Sequence, residues 1–265
     1  MSKKIFDSKW LYCVFICLAV LNVAFVLHIC CSYEALIRPI LARLIEENKI
    51  GNTIDGANWL AYFTVQSNLF VSIWFLLWSI GKLCGADTLV RACQNHTLAT
   101  CVTLYIFATG LLYTCSTLFG IRWFDKTDGG AIVNNVVNVY HHFIIPPLTL
   151  IVYFCMPVSG YKSPKDTAMI AMLYPLAYLA FSLFRGKALD WYAYPIFRPE
   201  TLWSAVFPQK PYAYVPAVFL LFCEMMLLAL GFFLCAYVMT SLQNIRYTRR
   251  FSKYPYVSER AEIVE

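Results

Sequence analysis

Long apolar runs, separated by short polar stretches, dominate the pattern of this chain. Six of the runs are long enough to cross about 30 Å of hydrocarbon as an α-helix, which takes about 20 residues. A helix satisfies its own backbone hydrogen bonds, and no open-ended extended segment can do so in lipid. The pattern therefore predicts six transmembrane spans, at about residues 11–32, 61–83, 98–120, 131–158, 168–184 and 215–242.

The composition agrees with a lipid environment. Of the 265 residues, 60% are apolar and 14% are charged, whereas a soluble domain carries about 25% charged residues. The connections between the spans are too short to hold a separate soluble domain of ordinary size. We therefore predict an all-α fold in which residues 1–265 form a single six-helix transmembrane domain.

The basic residues indicate the orientation of the bundle rather than a nucleic-acid partner, because they are scattered over several short segments. With six spans, both termini lie on the same side of the membrane. If that side is the cytoplasm, the cytoplasmic segments hold twelve of the 21 Lys and Arg residues, and the opposite segments hold the remaining nine. The positive-inside rule therefore predicts cytoplasmic N- and C-termini.

The cysteines argue against a disulfide framework and against structural zinc. Nine of the eleven cysteines fall in or at the apolar spans, where they serve as small packing residues. No Cys-x-x-Cys pair occurs, although such pairs are typical of zinc ligation. We expect no metal and no organic cofactor.

Two connections are long enough to carry structure of their own. Residues 33–60 place five apolar side chains at helical spacing among charges, which predicts a short amphipathic helix along the interface. Residues 186–214 are rich in aromatic side chains, which favour the headgroup level, and in prolines, which forbid one continuous helix. We predict that this second segment forms a lid or belt on the outer face.

Polar side chains at depth are the informative residues, because burying an unpaired hydroxyl or amide costs several kcal/mol. In the second span Thr64, Ser67 and Asn68 fall at i, i+3 and i+4, and therefore share one helical face. A second polar stripe in the fourth span lies within an arc of about 120° at 100° per residue. Its members are Asn134, Asn135, Asn138, His141 and His142.

These polar groups have a catalytic and a structural interpretation. A histidine can take the proton of a threonine hydroxyl and so make it a nucleophile, while amides at Asn68, Asn134 or Asn138 could orient the imidazole or stabilise an oxyanion. In the structural interpretation, Ser, Thr and Asn join membrane helices through hydrogen bonds. Spacing alone leaves both interpretations open.

Two further titratable residues lie in predicted spans. Glu224 is the acidic residue deep in the sixth span, where it is either the partner of a buried donor or part of a proton or ion path. His28 could ligate a haem between helices together with His141 or His142. A histidine at a helix end is, however, more often simply hydrogen-bonded.

Four short motifs occur in an order that resembles a known family. They are Phe63 to Leu69 (FTVQSNL), Asn138 with His142 ahead of Pro146 and Pro147, Tyr174 to Tyr178 (YPLAY), and Tyr192 to Pro195 (YAYP). In order and spacing they resemble the androgen-induced membrane protein family and its bacterial six-helix relatives. The animal members of that family are integral-membrane hydrolases that cleave fatty acid esters of hydroxy fatty acids with a threonine and a histidine.

The resemblance implies a hydrolase in which Thr64 is the nucleophile and His142 is the base. His141 is the rival for the second role, because this chain has two adjacent histidines. The expected partners are membrane lipids and a lipid or fatty-acyl ester substrate, with no nucleic acid. The supporting polar residues would be Ser67, Asn68, Asn134, Asn138 and Glu224.

The sequence is more similar to the bacterial branch, in which Gln66, Ser67 and Asn68 follow the threonine, and that branch need not share the esterase activity. The competing interpretation is therefore non-enzymatic. In it the chain is a membrane transporter or a lipid-binding protein, with a polar path lined by Glu224 and the Asn/His stripe.

Overall fold

The computed structural model describes residues 6, 8–32, 60–118, 135–157, 162–194 and 197–252. Within this part of the chain the fold is all-α, and six helices are long and apolar enough to cross a membrane, which confirms the predicted fold class. The spans, from first to sixth, are α1 (Lys9–Ser32), α2 (Phe63–Leu83), α4 (His96–Leu118), the fourth span (Asn135–Cys155) with α5 (Ile145–Cys155) as its second half, α6 (Pro164–Leu189) and α8 (Tyr214–Ser252). The short helices α3 (Asp87–Cys93) and α7 (Pro199–Val206) lie in connections. Residues 33–59, which include most of the predicted amphipathic helix, and Asn134 lie outside the described residues.

Aromatic packing joins the first two spans. The ring of Phe15 stacks on that of Phe75 with centroids 4.4 Å apart, and Phe6 stacks on the fully buried Trp78 at 5.6 Å. In lipid, helices gain little by hiding apolar surface from water, so association depends on such close contacts and on hydrogen bonds. This packing fixes the position of α2, which carries Thr64.

The fifth span is longer than predicted and runs through Pro175 without interruption. Its start is fixed by Ser163, whose hydroxyl accepts the backbone N–H of Asp166 at 3.3 Å. Proline cannot donate to the carbonyl four residues earlier, which belongs to Ala171. The Tyr105 hydroxyl of the third span donates to that carbonyl at 3.0 Å, so a neighbouring helix replaces the missing bond and the helix continues.

We expect Tyr105→Phe to destabilise the bundle by about 1–3 kcal/mol, because the Ala171 carbonyl would lose its donor. In a Pro175→Ala background the new N–H can bond that carbonyl, so the same change should cost less. Unfolding by SDS in mixed micelles, carried through the four members of this double-mutant cycle, measures the difference. Equal costs in the two backgrounds would contradict this explanation of the continuous helix.

The far end of the sixth span closes the bundle at the end opposite to Thr64. Arg246 donates to the backbone carbonyls of Cys155 and Met156 at 3.0 and 3.3 Å, and Gln243 donates to the carbonyl of Tyr153. The last carbonyls of a helix have no intrahelical donor. Arg246 therefore caps the fourth span and fixes the axial position of α8 against it.

Candidate functional site

Thr64 lies in the first turn of α2, and the contacts of its neighbours on that helix show which way it faces. On one side of it, Ser67 shares a 2.9 Å hydrogen bond with the Thr109 hydroxyl of the third span. On the other side, the Asn22 amide of the first span donates to the Ser72 hydroxyl at 2.8 Å. At 100° per residue, Thr64 is about 60° from Ser67 and about 80° from Ser72, between these two directions. It therefore faces the space between the first and third spans.

The part of the fourth span that lies next to the first and third spans is a π-helical turn, which is wider than an α-helical turn. Tyr140–Ile144 form a π-helical segment, in which the Ile145 N–H donates to the carbonyl of Tyr140, five residues earlier. Pro146 and Pro147 stand in the first turn of α5 and cannot donate to the preceding turn, so the backbone hydrogen bonding is interrupted between the π segment and α5. A π segment of this kind is frequent at functional sites.

The two adjacent histidines of the π segment face different neighbours. His141 points to the first span, where its ring meets the edge of Phe25 at 6.2 Å and lies beside the backbone of Asn22. His142 points to the third span, where it stacks on Tyr113 with ring centroids 3.7 Å apart and lies beside the backbone of Thr109. Ser67 and His142 therefore contact the same residue of the third span.

Four buried polar atoms around this space have no hydrogen-bond partner among the described residues. They are the amide oxygens of Asn22 and Asn68, Nε2 of His141 and Nδ1 of His142. All four side chains are at least nine-tenths buried, with exposed fractions between 0% and 9%. An unpaired buried polar atom costs about 1–3 kcal/mol, and a polar group of a ligand would satisfy these atoms.

Thr64 itself contacts a tyrosine that the sequence did not single out. The Tyr194 hydroxyl lies 3.3 Å from the Thr64 hydroxyl, and it also accepts the Thr64 backbone N–H at 3.3 Å. In the part of the chain that the structure describes, no hydrogen bond joins Thr64 to His141 or His142. The described residues therefore show no direct hydrogen bond between the hydroxyl and an imidazole, which the catalytic interpretation suggested.

Tyr194 comes from the connection between the fifth and sixth spans. The chain reverses at Asp190, whose φ is 49°. Tyr192 packs directly on Gly186, where an added Cβ would overlap the tyrosine ring. Trp191 packs against Tyr62 at 5.9 Å. Residues 190–194 thereby cover the beginning of α2, the position that a lid would take.

Asn138 and Glu224 are the other predicted site residues that the structure describes. Asn138 is half-buried, one turn before His142. Glu224 is half-buried, and its Oε2 has no partner among the described residues. Phe232 of the same helix contacts Phe63 at 5.9 Å, so Glu224, eight residues earlier, lies about 12 Å along the helix from the level of Phe63. The described residues contain no group of His, Cys, Asp or Glu that could hold a metal ion.

In comparisons with known proteins, no family model matches the chain, and neither a curated protein nor a solved structure matches it. The fold alone therefore defines the class. This protein is an integral, multi-pass membrane protein of six transmembrane helices, with buried polar side chains between the first four.

Proposed function

We propose that this protein is an integral-membrane hydrolase of lipid esters, with Thr64 as the nucleophile and His142 as the general base. The observation that carries the proposal is the direction of Thr64. Its helical position faces the space between the first and third spans, and the Ser67–Thr109 hydrogen bond beside it leads to the residue whose backbone lies beside His142. Catalytic pairs are often too far apart in the unliganded enzyme and approach when substrate binds.

His142, rather than His141, is the base in this proposal. His142 lies on the same side of Thr64 as the hydrogen bond between Ser67 and Thr109, whereas His141 turns to Phe25 of the first span. His142 takes the proton as the Thr64 oxygen attacks the ester carbonyl, and it returns the proton to the departing alkoxide. Water then attacks the acyl-enzyme and releases the fatty acid, with His142 again as the base.

The surroundings of Thr64 suit a lipid substrate. The site lies between apolar helices, so an acyl chain can enter sideways from the leaflet around the beginning of α2, without crossing water. The resemblance of the four motifs to the androgen-induced membrane protein family points to the same class, fatty acid esters of hydroxy fatty acids. The unpaired amide oxygen of Asn68 and Nδ1 of His142 are acceptors, which suit the O–H groups of the attacking water and of the released hydroxy fatty acid.

The test is active-site labelling together with turnover. Purified protein in detergent is treated with a fluorophosphonate and assayed with a fatty acid ester of a hydroxy fatty acid. We expect labelling at Thr64 and hydrolysis, and we expect Thr64→Val, which keeps the side-chain shape, to lose both, with turnover falling by more than about 10³-fold. Thr64→Ser keeps a hydroxyl and should still be labelled. Hydrolysis by Thr64→Val at the wild-type rate would refute the proposal.

Glu224 favours a second candidate, a transporter or lipid-binding protein. A half-buried carboxyl oxygen without a partner among the described residues is a feature of proton and ion paths in membrane proteins. This candidate predicts proton or substrate flux across proteoliposomes that is lost in Glu224→Gln and is unaffected by fluorophosphonate. Glu224 lies about 12 Å along α8 from the level of Phe63. This distance weighs against a single path lined by both Glu224 and the Asn/His stripe of the fourth span.

A further inference from the structure

The beginning of α2 is capped by two tyrosine hydroxyls. The first backbone N–H groups of a helix have no partner within the helix and carry its positive dipole end. The N–H of Phe63 donates to the Tyr178 hydroxyl at 3.1 Å, and the N–H of Thr64 donates to the Tyr194 hydroxyl at 3.3 Å. The two tyrosines thus satisfy neighbouring N–H groups, and Tyr194 also meets the side chain of Thr64.

A carbonyl carbon that the Thr64 oxygen attacks must approach within about 3–3.5 Å of it. The carbonyl oxygen, on which negative charge develops, then comes within reach of a hydroxyl that is itself 3.3 Å from the Thr64 oxygen. Donors in this position stabilise the transition state more than the ground state. The Tyr194 hydroxyl is the side-chain group that the described structure holds there.

We propose that Tyr194 is a catalytic residue, whose O–H donates the hydrogen bond that stabilises the oxyanion. This role rests on the proposed hydrolase function of Thr64. The Thr64 oxygen forms a bond to the acyl carbon, its proton passes to His142, and the carbonyl electron pair moves onto the oxygen. The Tyr194 O–H turns from the Thr64 oxygen to that oxyanion. When the ester C–O bond breaks, the pair returns to the carbonyl and the alkoxide takes the proton from His142.

Two features prepare Tyr194 for this task. Removal from water raises the pKa of the Tyr194 phenol above its ordinary value, so the hydroxyl keeps its proton at neutral pH and remains a donor. The phenol oxygen also accepts the Thr64 N–H. A hydroxyl that accepts one hydrogen bond is polarised and becomes a stronger donor in the next.

A purely structural cap is the alternative, and Tyr178 provides the matched control. Its hydroxyl accepts the N–H of Phe63 and donates to the carbonyl of Ala61 at 2.9 Å. It therefore caps the same helix end without a contact to the Thr64 hydroxyl. Tyr178→Phe and Tyr194→Phe each remove one capping hydroxyl, so a structural role would affect stability and activity similarly in both variants.

The experiment compares kcat, KM and SDS unfolding for the wild type, Tyr194→Phe and Tyr178→Phe with the same lipid ester. We expect Tyr194→Phe to lower kcat by about 10²-fold to 10³-fold, as removal of an oxyanion donor does, with KM changed by less than about threefold. Tyr178→Phe should keep kcat within about threefold of the wild type. Equal loss of kcat in both variants, or no loss in Tyr194→Phe, overturns the role of Tyr194 while the hydrolase remains.

A second measurement applies if Tyr194→Phe does not fold. A fluorinated tyrosine at position 194 retains the hydroxyl and has a lower phenol pKa, so the alkaline limb of kcat should move to lower pH. An unchanged limb overturns the proposal. A wild-type protein that neither hydrolyses the ester nor is labelled at Thr64 refutes the hydrolase function and this role with it, an outcome that differs visibly from failure of Tyr194 alone.

Discussion

Replacing His142 by phenylalanine is expected to lower turnover of a lipid ester by about 10²-fold to 10⁴-fold, the usual contribution of a general base. The substitution keeps an aromatic ring for the stack on Tyr113, which has centroids 3.7 Å apart, so the helix contact survives while the proton acceptor is lost. The same substitution at His141 removes a ring that faces Phe25 and the first span. Its expected cost in turnover is less than about tenfold.

The two predictions, for His142→Phe and for His141→Phe, are checked by steady-state kinetics in detergent micelles. The stability of each variant is measured by SDS unfolding. Both histidines are buried, so a folding defect would affect either substitution, and the unfolding data separate that cause from loss of the base. In His142→Ala, added imidazole should restore part of the lost turnover by entering the space beside Tyr113. If His141→Phe loses turnover and His142→Phe does not, the base is assigned to the wrong histidine. If both variants keep the wild-type turnover, the proposed mechanism fails.

The six spans could be predicted from the sequence because the length of an apolar run is sufficient to identify a transmembrane helix. The fifth span shows where this reasoning ends. The predicted span covers residues 168–184, whereas α6 runs over Pro164–Leu189 and through Pro175. The missing backbone bond is replaced by Tyr105, which lies 66 residues away in sequence from Ala171. No local pattern contains such a contact.

The candidate site was predictable to the extent that it follows helical periodicity. Thr64 and Ser67 do share one face of α2, as their spacing of three residues requires. The stripe in the fourth span was predicted for a regular α-helix, and the π segment at Tyr140–Ile144 changes that geometry. His141 and His142 turn to different helices, because adjacent residues of a helix point in different directions. Pro146 and Pro147 were the visible signal, although prolines do not distinguish a kink from a π turn.

Tyr194 was missed because it lies in a connection without periodicity. Its only signal in the sequence was its place in the Tyr192 to Pro195 motif, and a motif does not say which helix its side chain meets. The role of Glu224 as a supporting polar residue stays a prediction. Its depth along an apolar run does not fix its axial level relative to the other helices, which depends on contacts such as that of Phe232 with Phe63.

Gly110→Ala is expected to disturb both the bundle and the site, because the third and fourth spans meet there without room for a methyl group. An added Cβ would lie 2.8 Å from Cβ of Pro146, 2.9 Å from its Cγ and 3.0 Å from the backbone carbonyl oxygen of His142. The proline ring and the carbonyl are tied to the backbone and cannot rotate away. The two helices must therefore separate by several tenths of an ångström.

We expect this separation to destabilise the protein by about 1–3 kcal/mol and to lower turnover by up to about 10²-fold, because it shifts the base from the nucleophile. Gly231→Ala in the sixth span is the matched control, since its added Cβ meets nothing within 4 Å. That change should leave turnover unaltered and stabilise the helix by up to about 1 kcal/mol. SDS unfolding and kcat of the two variants test the argument. A Gly110→Ala protein with wild-type stability and turnover would show that the third and fourth spans are not in close contact at His142, and the position assigned to the base would then be wrong.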